Sequence, residues 1–160
     1  MDICNINWEN MENYSSVPIE YRFVDSAEVK PGKEAWGYKS VSSLDWFFKF
    51  HFPGNPVMPG VLVMETLQQT GLLIITTMPE INEKVMLFNG CENMRMFNSV
   101  RPGDVLKTHV LLDSFKRGIA NFQGEVRIER FGEEKQLLAC SMNFTMLLKS
   151  EMISMPKKDK

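Results

Sequence analysis

The sequence predicts an α+β fold, with an antiparallel sheet wrapped around one long buried central helix. Three observations predict it. Val61 to Thr77 is apolar on nearly every side, through Val61, Leu62, Val63, Met64, Leu67, Leu72, Leu73, Ile74 and Ile75. A helix that is apolar all round is a buried helix. The second half then changes period. Phe122, Gly124, Val126 and Ile128 alternate with Gln123, Glu125, Arg127 and Glu129, and Leu138, Cys140, Met142, Phe144, Met146 and Leu148 form a second period-two row. Turn signals separate the runs at Pro31-Gly32, Arg101-Pro102-Gly103-Asp104 and Lys116-Arg117-Gly118. A sheet with one apolar face and a single apolar helix bury each other as two layers.

Each element follows in order. Residues 1–16 read as a loosely attached N-terminal arm. Tyr21 to Lys30 reads as a strand and Ala35 to Val41 as its return. Ser43 to Phe50 is an aromatic-rich connection. Pro59-Gly60 opens the helix, because proline suits a first turn that needs no N–H. Pro79 limits its extent. Val85 to Phe97 and Val105 to Phe115 are further strands, followed by the two alternating rows. Residues 149–160 read as a frayed, solvated tail. The 160 residues suffice for a single domain, 1–160, with a sizeable core.

Composition narrows the function. Net charge is −2, so no global basic field argues for nucleic acid. No apolar run reaches membrane-spanning length. The N-terminus is polar and mildly acidic, without the basic start and apolar core of a signal peptide, so a cytoplasmic location is expected. Cys4, Cys91 and Cys140 are scattered, without a CxxC pair, and read as reduced thiols. The 12 methionines suit core gap-filling or an apolar ligand tunnel. There is no HExxH, Cys/His cluster, phosphate-binding GxxxxGK[ST] or GxSxG, so a metal site, a nucleotide loop and a serine nucleophile of that kind are unsupported. Trp46, Phe47, Phe48, Phe50 and Phe52 interleave with few bases and read as core or interface.

Chemistry concentrates in His51 to Gln69, HFPGNPVMPGVLVMETLQQ. Glu65 falls in the middle of the apolar helix. Desolvation raises a carboxyl pKa and would make it a proton donor near neutral pH. It can equally share a polar stripe with Gln68 and Gln69, and spacing alone leaves both readings open. His51, one of two histidines, precedes a stiff, turn-rich loop. A loop carbonyl could hold one ring nitrogen and leave the other free as a base. The plainer reading is a histidine that caps a loop. Gly60 stands where helix N–H groups lack internal partners and the dipole is positive, a setting suited to an anionic or enolate oxygen. A simple loop-to-helix junction would look the same. His109, in KTHVLL, has no comparable setting.

Taken together, FFKFHFPGNPVMPGVLVMETLQQTG resembles the signature of the FabZ/FabA family of β-hydroxyacyl-acyl-carrier-protein dehydratases, HFPG-x-PVMPGVL followed by E-x-L-x-Q. YRFVDSAEVKPGKEAWGYKSVS, LFNGCENMRM with VRPGD, RGIANFQGEVRIE and LLACSMNFTMLL extend the resemblance over roughly residues 18–148. It implies a hotdog fold and a homodimer whose sites lie between protomers, in some members a trimer of dimers. It implies His51 as the catalytic histidine and Glu65 as the acid, each site drawing them from different subunits. The Val57 carbonyl would orient the imidazole, the N–H of Gly60 with that of Val61 would bind the thioester oxygen, and Gln69 would support the site. Glutamate rather than aspartate at position 65 resembles the FabZ branch and favours plain dehydration without isomerisation.

The resemblance implies no resident cofactor or metal. The substrate would ride on the phosphopantetheine of an acyl carrier protein, or on CoA. Arg95, Arg101, Lys116 and Arg117 are candidates for docking an acidic carrier. The sequence departs from the family pattern in three places: Phe50 stands where glycine is usual, Leu87 near a gating tyrosine, and Met96 to Ser99 at a usually basic, proline-rich strand end. They bear on chain length, docking and pathway. Two other readings stay open, an acyl thioesterase on the same fold and a non-catalytic acyl-binding or partner subunit.

Overall fold

The computed structural model describes residues 2–148, so the expected tail at 149–160 lies outside the described residues. The elements are β1 (Cys4–Ile6), β2 (Ser26–Lys30), β3 (Glu34–Ser40), α1 (Gly60–Thr76), β4 (Met86–Met96), β5 (Val105–Lys116), β6 (Ile119–Glu129) and β7 (Leu137–Leu148), with short 3-10 turns at Met11–Asn13, Ile19–Tyr21 and Trp46–Lys49. The strands form a seven-stranded sheet in the order β1-β2-β3-β5-β6-β7-β4. Every neighbouring pair is antiparallel. The sheet curls on α1 in the hotdog arrangement.

The alternating rows set the inner face. Phe122, Val126 and Ile128 of β6 and Cys140, Met142, Phe144, Met146 and Leu148 of β7 are buried, as are Leu67, Leu73, Ile74 and Ile75 of α1. Glycine brings the helix close. A Cβ at Gly124 would stand 2.7 Å from Leu67 Cδ2 and 2.8 Å from the His109 carbonyl, so position 124 of β6 has no room for a side chain beneath α1. Gly37 of β3 plays the same part beneath Thr70. The helix therefore rests almost on the sheet backbone, which fixes its height and rotation.

The loop before α1 is tied at both ends. Phe52 and Asn55 exchange backbone hydrogen bonds of 3.0 Å, Val57 N–H donates to the His51 carbonyl at 3.0 Å, and Met58 N–H donates to the Val100 carbonyl at 2.9 Å. The turn beyond Val100 is itself held by a partly buried ion pair. Arg130 Nε donates to Asp104 Oδ1 at 2.8 Å and its Nη2 to Oδ2 at 2.9 Å.

Two expectations are corrected. The N-terminal arm is not loosely attached: β1 extends the sheet against β2, and Ile6 and Met11 are buried. Two apolar anchors suffice, and the polar residues between them face solvent. The strand expected from Tyr21 begins only at Ser26. Pro18 starts a 3-10 turn, and the backbone groups of Tyr21 and Phe23 bond to the Gln69 side chain instead of a ladder.

Candidate active site

His51 lies at the end of the 3-10 turn, where its N–H donates to the Phe47 carbonyl at 3.1 Å. Its Nδ1 is 2.7 Å from the Val57 carbonyl oxygen. A carbonyl can only accept, so Nδ1 carries the proton and a neutral ring leaves Nε2 as the free base. The Phe52 ring stacks on the imidazole with centroids 3.9 Å apart. The ring is thus held by one hydrogen bond at its edge and one aromatic face.

Glu65 sits one turn and a half into α1, partly buried. Burial pushes its carboxyl above the ordinary value of 4.5, and the Gln69 amide, donating to Oε1 at 3.0 Å, partly opposes that rise. Gln69 is buried and fully engaged. Its Oε1 accepts from Phe23 N–H at 2.7 Å, and its Nε2 also donates to the Tyr21 carbonyl at 2.8 Å. The Phe23 bond fixes which end of the amide faces the acid. The Tyr21 hydroxyl is raised by burial and by the nearby charge of Glu65.

Gly60 and Val61 begin α1 with no side-chain cap. Their N–H groups have no acceptor among the described residues, as the first turn of a helix requires. A Cβ at Gly60 would sit 3.6 Å from Met96 Cε, an ordinary contact. Packing within the chain does not demand glycine there. Val61 is 69% exposed beside it.

The structure therefore brings His51 together with Val57 and Glu65 together with Gln69, with the free N–H groups of Gly60 and Val61 between the two pairs in sequence. His51 and Glu65 share no hydrogen bond or ion pair within one chain among the described residues. The four basic docking candidates divide. Arg95 and Arg101 are exposed near Met96 and Val100, on the side of the Gly60 helix end. Lys116 and Arg117 form the opposite end of β5, and a 12-residue strand spans roughly 35–40 Å. His109 is absorbed by structure: it stacks on Trp36 at 4.5 Å, and its Nε2 is 3.0 Å from Glu34 Oε2. Phe52 and the backbone of Tyr21 and Phe23 are site components that sequence reasoning did not single out. Only the adjacency of Phe52 to His51 offered any signal.

A sheet curled on a buried helix, with a histidine loop feeding the helix start and a carboxyl inside it, defines a hotdog-fold protein. Residues 22–132 match the FabA-like domain, well over half of the chain, and the chain belongs to that family. Its similarity runs to the FabZ 3-hydroxyacyl-[acyl-carrier-protein] dehydratases. It is 41% identical to that of Chloroflexus aggregans over 126 residues, covering 76% of this chain and 88% of the relative. It is 39% identical to that of Alkaliphilus metalliredigens over 142 residues, covering 87% and 92%. Among solved structures, a chain of the dehydratase heterocomplex ApeI:P from Xenorhabdus doucetiae superposes with a TM-score of 0.73 at 16% identity, over 92% of this chain and 97% of that one. An acyl-CoA hydrolase from Agrobacterium tumefaciens superposes at 0.55, with 12% identity, over 73% of this chain and 43% of that one. At those identities the likeness is one of fold.

Proposed function

We propose that the chain dehydrates 3-hydroxyacyl thioesters carried on acyl carrier protein, as in fatty acid biosynthesis, with His51 as base and Glu65 as acid. The observation that carries this reading is the pairing of His51 Nδ1 with the Val57 carbonyl, which leaves Nε2 free to take a proton. In the proposed reaction His51 Nε2 removes a proton from the carbon next to the thioester carbonyl. The N–H groups of Gly60 and Val61 and the helix dipole stabilise the charge that develops on the carbonyl oxygen. Glu65, whose burial shifts it towards the neutral form, delivers a proton to the departing 3-hydroxyl. The C–H electron pair becomes the new double bond, the C–O bond breaks, and water and a trans-2-enoyl thioester result. The reverse sequence is hydration.

His51 and Glu65 share no hydrogen bond or ion pair within one chain among the described residues, which fits a homodimer in which each site takes its base from one protomer and its acid from the other. Dimers grouped in threes would be compatible with the same site. Arg95 and Arg101 are better placed than Lys116 and Arg117 to receive an acidic carrier at the Gly60 end. No resident cofactor or metal is required by this chemistry. We place the enzyme in the cytoplasm, and no helix among the described residues is long and apolar enough to cross a membrane.

The test is to incubate the purified protein with 3-hydroxyacyl thioesters of increasing length, on acyl carrier protein and on CoA. Enoyl formation is followed by absorbance and mass, with His51→Ala alongside. Loss of one water that disappears in His51→Ala is expected. Release of free acid and thiol would indicate a thioesterase instead. A folded protein inert on every substrate would indicate the binding-subunit reading.

A further inference from the structure

Gln69 orients Glu65, and Gln69 is itself oriented from outside its helix. Two of its three hydrogen bonds go to the backbone of Tyr21 and Phe23. That segment belongs to no strand, so no ladder holds it in place. The buried Phe23 ring and the 3-10 bonds from Tyr21 N–H to the Pro18 carbonyl and from Arg22 N–H to the Ile19 carbonyl hold part of it, and the side chain of the residue between Tyr21 and Phe23 adds a further anchor. The Arg22 side chain is only 8% exposed. Its Nη2 donates to the Val17 carbonyl at 3.2 Å, and its guanidinium lies 5.7 Å from the centre of the Trp8 ring. The exposed Glu12 carboxylate approaches Nη2 at 4.0 Å. Its buried Nε has no acceptor among the described residues, so the anchor rests on the Val17 bond and the Trp8 face. Trp8, Glu12 and Val17 all belong to the N-terminal segment that precedes the residues matched to the family. That segment is fastened in turn: β1 pairs with β2, Ser16 N–H donates to the Lys84 carbonyl at 3.2 Å, and Lys84 Nζ donates to the Glu12 carbonyl at 3.0 Å.

We propose that Arg22 is a positioning residue for Glu65, clamped by the N-terminal segment and acting through the Tyr21–Phe23 backbone and Gln69. The inference rests on the reading of Glu65 as the acid. The chain of contacts runs from Trp8 and Val17 to Arg22, from Arg22 along one residue of backbone to each side, and from there to Gln69 and the carboxyl. If Arg22 is released, Phe23 N–H and the Tyr21 carbonyl drift, Gln69 loses its fixed orientation, and its N–H no longer favours the carboxylate. The groups facing Glu65 are the Tyr21 hydroxyl from this segment and the Gln69 amide from α1. No cation pairs with it among the described residues.

The test compares Arg22→Ala, Arg22→Lys, Trp8→Ala and Glu65→Gln on a 3-hydroxyacyl-acyl-carrier-protein of fixed chain length. For each variant kcat and KM are measured across pH, and the melting temperature is recorded. Arg22→Ala is expected to lower kcat roughly 10-fold, the lower end of what outer-shell partners contribute in metal sites, with little change in KM. The basic limb of its kcat profile, where Glu65 loses its proton, is expected to move to higher pH. Arg22→Lys should recover much of the loss, since an ammonium can still donate to the Val17 carbonyl and lie on Trp8. Trp8→Ala removes a side chain that is 63% exposed and should move kcat and the limb the same way by less. Should Arg22→Ala not fold, the limb of Trp8→Ala decides: displaced, it supports the inference, and unmoved, it overturns it. A lower melting temperature with wild-type kcat and limb in Arg22→Ala also overturns it, reducing Arg22 to a structural residue. Substantial turnover by Glu65→Gln would instead remove the acid itself and the inference with it, and that variant reports this independently of Arg22.

Discussion

The two halves of α1 share one helix and one sheet, yet they are built by different rules. From Gly60 to Thr70 the helix carries Glu65, Thr66, Gln69 and Thr70, and each of these four side chains has a partner. Thr66 Oγ1 donates to the Val63 carbonyl and Thr70 Oγ1 to the Thr66 carbonyl, both at 2.7 Å, and Thr108 Oγ1 reaches Thr66 Oγ1 at 3.2 Å. From Gly71 to Ile75 the helix is apolar and buried throughout. The comparison separates two tasks. The first half keeps polar groups out of water, as the proposed chemistry requires of Glu65, and a desolvated polar group is tolerable only when it is bonded. The second half holds the helix down by dispersion and apolar burial.

The sharpest way to break this division is at the acid. Glu65→Gln retains an oxygen that can accept from Gln69 but cannot donate a proton, and it should lower kcat by about 10²–10⁴-fold, the usual contribution of a general acid. Stability should move the other way. The folded carboxyl titrates above its ordinary value of 4.5, so between the unfolded and folded values the native chain binds more protons. Stability therefore falls as pH rises through that window. Glu65→Gln escapes this loss, so at neutral pH it should unfold at equal or higher denaturant than wild type. The gap should close as pH drops below the unfolded value. A variant that is both inactive and destabilised at pH 7 would assign Glu65 to structure instead.

The second half should answer oppositely. Ile74 is fully buried, and Ile74→Ala should cost about 2–5 kcal/mol of unfolding free energy. Below its lowered denaturation midpoint it should retain the wild-type shape of the pH–rate profile. A displaced profile would mean that strain passes along the helix and that the halves are not separable.

The same division explains what was legible in the sequence. α1 was readable to within a residue, because its apolar surface is continuous and Pro59 marks its start. The β6 and β7 rows were readable because period two has no helical counterpart. β1 was not, because three residues in a polar arm show no periodicity. Tyr21 to Val24 read as strand from side-chain type alone, yet their backbone bonds to a glutamine 46 to 48 residues away. Such a tertiary bond leaves no local trace. Glu65 stayed ambiguous for a related reason. Spacing places a carboxyl on a helix but does not say whether water reaches it, and that was decided by the sheet packed around it. The opposite placement of Lys116 and Arg117 from Arg101 was in principle readable, since the two turns bound the same strand.

The smallest effect lies where the apolar half ends. Thr76 is buried, and its Oγ1 has no hydrogen-bond partner among the described residues. It differs in this from Thr66 and Thr70, which lie in the half that needs polar groups, and from Thr77, whose Oγ1 donates to the Leu73 carbonyl at 2.7 Å. Leaving a buried hydroxyl unpaired costs about 1–3 kcal/mol, and valine of nearly the same shape removes that cost without opening a cavity. Thr76→Val should therefore raise the denaturation midpoint by an amount corresponding to about 1 kcal/mol, with kcat unchanged. Thr70→Val, the matched substitution in the first half, should lower the midpoint, because the hydroxyl it removes is bonded and packs against Gly37. Opposite signs for the two threonines would uphold the division of the helix. A loss of stability in both would mean that the hydroxyl of Thr76 is satisfied in solution and that the second half is less dry than its packing indicates.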